Sequence, residues 1–164
     1  MSVRDATSED SARFVELWEA MGTEIYEKYP KADSGITRKN LNYHKLIFDN
    51  YVEGFAKGLV LLWQPENSIV PEGIVMVGDK LGDGNTLDER WEYPAWIHGI
   101  YITPEYRRYG GWRALHRAGV KGLRALGFTD TLGFVPVDHA ESFRMNTLSG
   151  GTPYAILMEL SLGA

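Results

Sequence analysis

The stretch that decides the fold is residues 100–113, which read Ile100-Tyr101-Ile102-Thr103-Pro104-Glu105-Tyr106-Arg107-Arg108-Tyr109-Gly110-Gly111-Trp112-Arg113. Its first residues are apolar and aromatic or β-branched, as is typical of a strand, and Pro104 ends that strand. A turn with two arginines and two glycines follows, and then a helix begins. Backbone N–H groups at a helix start have no intrahelical partner and carry the positive end of the helix dipole. The turn is therefore a candidate anion site.

The segment from Pro104 to Gly127 is basic within an acidic chain. It holds six Lys or Arg residues and one Glu, a balance of +5, whereas the whole chain has 17 Lys and Arg against 22 Asp and Glu, a net charge of −5. The other residues therefore carry −10. This distribution favours a local anion site over a nucleic-acid surface, while the simpler alternative is a solvated helix face.

The glycines and arginines of the turn suit a pyrophosphate group. Glycine lets a ligand approach the backbone, and arginine adds charge and hydrogen-bond donors, so no metal is needed. The turn is not a P-loop, because the Gly-Lys-Ser/Thr ending is missing. It is not a dinucleotide fingerprint either, because the third glycine is missing.

The whole sequence predicts one domain over residues 1–164: a strand, two helices, three successive strands, then a helix, a strand, a helix and a closing strand. We predict strands at 3–7, 59–63, 74–77, 95–103, 131–135 and 154–160, and helices at 9–29, 38–53, 108–126 and 138–148. Residues 78–93 are rich in Gly and acidic residues and predict a polar loop. The step from strand 95–103 through a helix to strand 131–135 predicts a parallel βαβ crossover. The fold class is therefore α/β of the α+β type, with a mixed, mostly antiparallel sheet flanked by helices.

Composition excludes several classes of function. The chain has no Cys, which excludes disulfides, thiolate metal sites and a Cys nucleophile. Its four His residues show no close-spaced pair, so we expect no metal site. No apolar run approaches the roughly 20 residues of a membrane span, and the N-terminus lacks a signal-peptide pattern. We therefore expect a cytoplasmic protein with no membrane and no nucleic-acid partner.

Residues 100–128 resemble the acetyl-CoA-binding motif of the GCN5-related N-acetyltransferase (GNAT) superfamily. In that family a strand ending in Val-x-Pro precedes Gln/Arg-x-x-Gly-x-Gly/Ala and a helix, and this pattern falls on Arg107, Gly110 and position 112. Position 112 is Trp, where the family has Gly or Ala. Trp112 either anchors the helix in the core, with Gly111 taking the permissive role, or crowds the pyrophosphate. The predicted order of elements is similar to that of the family over nearly the whole chain.

The resemblance implies a GNAT-like domain that uses acetyl-CoA as co-substrate, without a metal. The main chain of the strand would pair with the pantetheine arm, and a backbone N–H there would meet the thioester carbonyl. The turn would hold the pyrophosphate, and His139 falls where the family often has a cofactor-contacting Asn. The cofactor-binding candidates are Ile100, Ile102, Arg107, Arg108, Tyr109, Gly110, Gly111, Trp112, Arg113 and His139.

We expect the general base on the predicted strand 95–103. Alternation predicts that Trp96, His98, Ile100 and Ile102 share one face. Some family members have a catalytic Glu at the position that matches Trp96. Here His98 is the candidate base, because imidazole titrates near neutral pH, and the alternative is a His hydrogen-bonded within the sheet.

A general acid is harder to identify. The family's Tyr is replaced by Asn146, and Gly150-Gly151 stands in place of the family's Gly-Phe turn. Tyr101 is our candidate for the general acid, and Tyr154 is a second substitute. Water is the alternative proton source for the leaving thiolate.

The acceptor implied by the resemblance is a primary amine of a small molecule or a peptide. Glu24, Glu27, Asp33 and the acidic loop would lie on the acceptor side and favour a cationic amine. The competing hypothesis is a catalytically inactive member that binds CoA or a protein partner. A homodimer is compatible with either.

Overall fold

The computed structural model describes residues 2–28, 41–79, 94–133, 140–148 and 150–151. The strands are β1 (Ser2–Asp5), β2 (Gly58–Gln64), β3 (Gly73–Gly78), β4 (Ala95–Ile102) and β5 (Thr131–Leu132). The helices are α1 (Ser11–Lys28), α2 (Leu41–Val52), α3 (Gly111–Ala125) and α4 (Ala140–Leu148). The predicted strand 154–160 and nearly all of the acidic loop lie outside these residues.

The five described strands form one mixed sheet in the order β1-β2-β3-β4-β5. The first three pairings are antiparallel, and β4 pairs with β5 in parallel. Helix α3 connects β4 to β5, as a parallel pair requires. The predicted mixed, mostly antiparallel sheet with one βαβ crossover is confirmed.

Two apolar clusters cover the two faces of the sheet. On one face, α1 and α2 contribute Phe14, Trp18 and Phe48 to a cluster that we call the α1/α2 cluster. On the other face, Leu115 of α3 packs with Trp63 of β2 in the α3 cluster. Because the middle strands are buried on both sides, they read as continuous apolar runs rather than as alternating ones. Full burial of a large apolar side chain stabilises the fold by about 1.5–3 kcal/mol.

Helices α1 and α3 both begin later in the chain than the sequence predicts. Before α1, Ser8–Asp10 form a 3-10 turn, and the Asp10 carboxylate accepts a hydrogen bond from the Thr7 N–H at 2.8 Å. Before α3, Pro104–Tyr106 form a second 3-10 turn. Gly110 then adopts a φ of +81°, which an α-helix cannot include, so α3 begins at Gly111.

The chain divides into two compact units, Met1–Phe134 and Val135–Ala164. In the second unit, α4 ends at a turn in which the Gly150 and Gly151 N–H groups donate to the carbonyls of Thr147 and Asn146. The predicted helix 138–148 is confirmed over its described residues. A single domain over 1–164 stays a prediction.

Candidate active site

A β-bulge in β4 sets the directions of its side chains. The pairing with β3 runs Met76↔Gly99 and then Val77↔Ile97, so His98 is an extra residue without a counterpart. Beyond it, Ile100 packs against the α3 cluster, whereas His98 contacts α2 on the opposite face. The prediction that Trp96, His98, Ile100 and Ile102 share one face is therefore wrong, because the extra residue interrupts the alternation.

Among the described residues, most of the β4 edge that faces β5 has no strand paired with it. Parallel pairing covers only Ala95 and Trp96, and no other described strand lies on that side. The Thr103 N–H bonds the Glu72 carbonyl on the β3 side. Since backbone groups alternate in direction, those of Ile100 point to the open edge. The geometry thus offers the backbone of Ile100 to a ligand.

The turn before α3 forms an open cradle. A Cβ built on Gly110 would have no described atom within 4 Å, and the positive φ favours glycine there. The N–H groups of Gly111, Trp112 and Arg113 begin the helix and have no intrahelical acceptor. Arg108 and Arg113 are exposed beside them. This arrangement presents backbone N–H donors and positive charge on the same side of the turn, which suits an anion.

The Gly111-Trp112 pair anchors α3 to the sheet. A Cβ on Gly111 would lie 2.6 Å from the Trp63 ring, so Gly111 is required for packing, and Gly110 alone takes the permissive role. Trp112 is half-buried against the α3 cluster and stacks on His116, with ring centroids 5.0 Å apart. These contacts fit the anchoring alternative for Trp112, and crowding of the pyrophosphate stays a prediction.

Arg107 does not extend freely toward the cradle. Its Nε donates to the Ile102 carbonyl at 3.2 Å, its Nη2 pairs with Glu24 of α1, and its guanidinium lies 5.8 Å from the Tyr101 ring centre. Burial alone would raise the pKa of Glu24, but hydrogen bonds from Arg107 and Lys28 outweigh it and hold that pKa below its ordinary value. Glu24 is thus a neutralised charge that ties the turn to α1.

The two tyrosines proposed for the site differ in exposure. Tyr101 is buried in the α1/α2 cluster, and burial together with the charge of Glu24 raises its pKa. It therefore keeps its proton at neutral pH. Tyr109 is exposed, and its ring lies 5.8 Å from that of Tyr106.

His98 belongs to a partly buried polar group between α2 and the sheet. Its Nε2 lies 2.9 Å from the Tyr51 Oη and 3.4 Å from the Asp79 carbonyl oxygen, and the Tyr51 hydroxyl donates to that same carbonyl. Burial lowers the pKa of His98 to about 4, with a further lowering from His44 and an opposing hydrogen bond at Asp79. The imidazole is therefore neutral at pH 7.

Several solved structures are similar to this chain over nearly its whole length. A mutant of the BH1408 protein from Bacillus halodurans superposes with a TM-score of 0.76 at 18% identity, over 99% of this chain and 100% of that chain. The aminoglycoside 6'-N-acetyltransferase AAC(6')-IG from Acinetobacter haemolyticus gives 0.67 at 16% identity, over 100% and 99%. AAC(6')-Iy in complex with the bisubstrate analogue CoA-S-monomethyl-acetylneamine gives 0.70 at 11% identity, over 99% and 98%. The chain has the GNAT fold. No family model and no curated protein matches its sequence.

Within this GNAT fold, sequence reasoning missed the contact of Tyr51 with His98. Gly58 and Gly78 pair across β2 and β3, and a Cβ on either would come within 2.8 Å of the Tyr51 ring. A glycine at the facing ends of two buried strands was the available signal, because it marks the close approach of another group.

The structure does not describe every predicted site residue. His139 and Tyr154 lie outside the described residues. Asn146 lies on α4, in the second compact unit. Over the described ranges, no three His, Asp or Glu side chains are grouped to bind a metal ion, and no helix could cross a membrane.

Proposed function

We propose that the protein transfers an acetyl group from acetyl-CoA to a primary amine. The observation that carries this proposal is the edge of β4 at Ile100, which no described strand covers, followed along the chain by the Gly110-capped start of α3. These two features suit the amide-containing arm and the pyrophosphate of CoA. Solved N-acetyltransferases of the same fold, one of them in complex with a CoA-containing bisubstrate analogue, support it.

Four groups of this chain would hold the co-substrate. The backbone of Ile100 pairs with the pantetheine arm, and the N–H groups of Gly111 to Arg113 bind the pyrophosphate. Arg108 and Arg113 add positive charge, and Gly110 leaves room for the phosphates. Arg107 holds the turn against α1 instead of reaching the phosphates. The Ile102 carbonyl already accepts from Arg107, which leaves Ile100 as the main backbone contact.

The bound co-substrate supplies the acetyl group as a thioester. The amine nitrogen forms a bond to the carbonyl carbon, the carbon–sulfur bond breaks, and the thiolate takes a proton. His98 is neutral and accepts a hydrogen bond from the amine, which orients the nitrogen lone pair. Because its pKa is about 4, His98 holds the proton only weakly, and the proton passes on to water. Tyr101 keeps its proton at neutral pH and is the proposed donor to the thiolate.

The proposed acceptor is a cationic small-molecule or peptide amine. Residues outside the 104–127 segment carry a net charge of −10, which attracts cations. Two of the structural neighbours are aminoglycoside acetyltransferases, whose substrates are amines. Glu24 contributes little to this attraction, because Arg107 and Lys28 neutralise it. The cytoplasmic location, the homodimer and the absence of nucleic-acid and membrane partners stay predictions.

The first test is binding of acetyl-CoA, measured as stabilisation of the fold. Ligand at 100 times its Kd should raise the free energy of unfolding by about 2.7 kcal/mol. Gly110→Glu should abolish this gain, because it places bulk and negative charge against the pyrophosphate. Gly127→Glu is the matched control, because Gly127 has a φ of +88° and equally open surroundings but lies beyond the other end of α3.

The second test is turnover. Release of free CoA should accompany acetylation of at least one member of a panel of polyamines, aminoglycosides and Lys-containing peptides. If neither acetyl-CoA nor CoA stabilises the wild-type fold, the proposal is wrong. Binding of acetyl-CoA without transfer to any amine would favour the non-catalytic alternative.

A further inference from the structure

We propose that Tyr51 is a positioning residue that fixes the tautomer of His98, with the proton on Nε2 and the lone pair of Nδ1 directed to the substrate amine. The catalytic consequence rests on the proposed function. The tautomer itself follows from contacts within the chain and can be tested separately.

The hydrogen-bond partners of His98 decide the tautomer. The Asp79 carbonyl can only accept, and the single proton of the Tyr51 hydroxyl is donated to that carbonyl. The Tyr51 oxygen is therefore left with lone pairs toward His98. Both groups near Nε2, at 2.9 and 3.4 Å, are then acceptors. A lone pair on Nε2 would face two other lone pairs, so Nε2 carries the hydrogen.

The Tyr51 ring is held in place by the sheet below it. Gly58 and Gly78 leave the space that the ring fills, since a Cβ on Gly58 would lie 2.4 Å from its Cε1 atom. Ile47 and Phe48, on the same helix, are fully buried in the α1/α2 cluster. This packing leaves the hydroxyl little freedom to turn away from His98 and Asp79.

The bulge in β4 sets the direction of the His98 side chain. It directs His98 to the α2 face, where Nε2 meets Tyr51. Within the described part of the chain no group hydrogen-bonds to Nδ1. With the proton on Nε2, Nδ1 can accept a hydrogen bond from an amine. The opposite tautomer would present a donor to the amine and could not orient its lone pair.

The experiment combines nitrogen NMR of the full-length protein, labelled with 15N-histidine, with steady-state kinetics. At pH 7.5 the wild-type His98 signal should show the Nε2–H tautomer alone. Tyr51→Phe keeps the ring and removes the oxygen, so His98 should become a mixture of tautomers. For an amine that the wild type acetylates, kcat should fall on the order of tenfold with KM for acetyl-CoA unchanged, less than the ~10²–10⁴-fold typical of a lost proton-transfer group.

Tyr43→Phe is the matched control, because Tyr43 is on the same helix and is 40% exposed. It should leave both the tautomer and kcat unchanged. An Nδ1–H tautomer in the wild type would overturn the proposal, as would a Tyr51→Phe variant with an unchanged tautomer. If no amine is acetylated, the proposed function fails but the NMR result still decides the role of Tyr51. If Tyr51→Phe does not fold, the wild-type tautomer alone decides it.

Discussion

Burial of a neutral His98 should make the fold lose stability as the pH falls below 6.5. The pKa of His98 is about 4, against an ordinary value of 6.5, and the largest cause is burial. A His whose pKa is lowered by folding binds its proton more readily in the unfolded chain. Its contribution to stability is therefore fully present above pH 6.5 and is lost as the pH falls toward 4.

The size of the effect follows from the pKa difference. A difference of about 2.5 pKa units corresponds to about 3 kcal/mol. Between pH 7.5 and pH 4.5 the linkage relation gives a loss of about 2.5 kcal/mol from this one group. Among the described residues, the titratable groups beside His98 are His44 and Tyr51 on α2, and the backbone carbonyl of Asp79 also contacts its ring.

The perturbation is His98→Gln, which keeps a side-chain N–H donor and removes the titration. Urea unfolding of both proteins at pH 7.5 and 4.5 gives the free energies of unfolding. Subtracting one protein's pH dependence from the other's removes the groups they share, including His44. The wild type should lose about 2.5 kcal/mol more than the variant over this range. Equal losses would refute the buried neutral state of His98. His116→Gln should give a smaller difference, because burial lowers the pKa of His116 less than that of His98.

Three further changes test other parts of the fold and the site. Asp10→Asn removes the ion pair with Arg4 and should lower the free energy of unfolding by about 1 kcal/mol at pH 7. Because the hydrogen bond from Arg4 lowers the pKa of Asp10 to about 2, urea unfolding should show this loss above pH 4 and none toward pH 2. Gly119→Ala should raise the free energy of unfolding by about 0.5–1 kcal/mol, because a Cβ there meets no described atom within 4 Å. Gly111→Ala should lower the free energy of unfolding, because its Cβ would collide with Trp63, and calorimetry of both variants compares the two effects. For a cationic acceptor, kcat/KM should fall as salt shortens the screening length to about 8 Å, and a salt-independent value would exclude electrostatic steering.

The fold could be predicted because its signals are local in sequence. Helical spacing in α1 and α3, unbroken apolar runs in β2 and β3, and Pro104 after β4 each specify an element. The βαβ step then fixes the one parallel pair. The start of α3 was misplaced by three residues, because the arginines after Pro104 favour a helix while the positive φ of Gly110 forbids one. Only the backbone conformation shows which preference prevails.

The site was predicted less completely, because its key contacts join distant parts of the chain. Arg107 pairs with Glu24, 83 residues away, and His98 meets Tyr51, 47 residues away. No spacing rule connects such pairs. The bulge at His98 is equally invisible to alternation, because an extra residue in one strand is defined only against its partner.

In the proposed reaction, the bulge in β4 lets one short strand serve two ligands. Without it, His98 and Ile100 would lie on the same face and would compete for the same side of the sheet. The extra residue turns His98 toward α2 and leaves the side chain of Ile100 packed under α3. The backbone of Ile100 points to the strand edge, where no described strand pairs with it. In the proposed reaction, the acyl donor lies along this edge while the amine approaches from the α1/α2 side. Arg107 connects these two sides through its contacts with Ile102 and Glu24. We therefore expect a change in α1 to alter the turn before α3 as well.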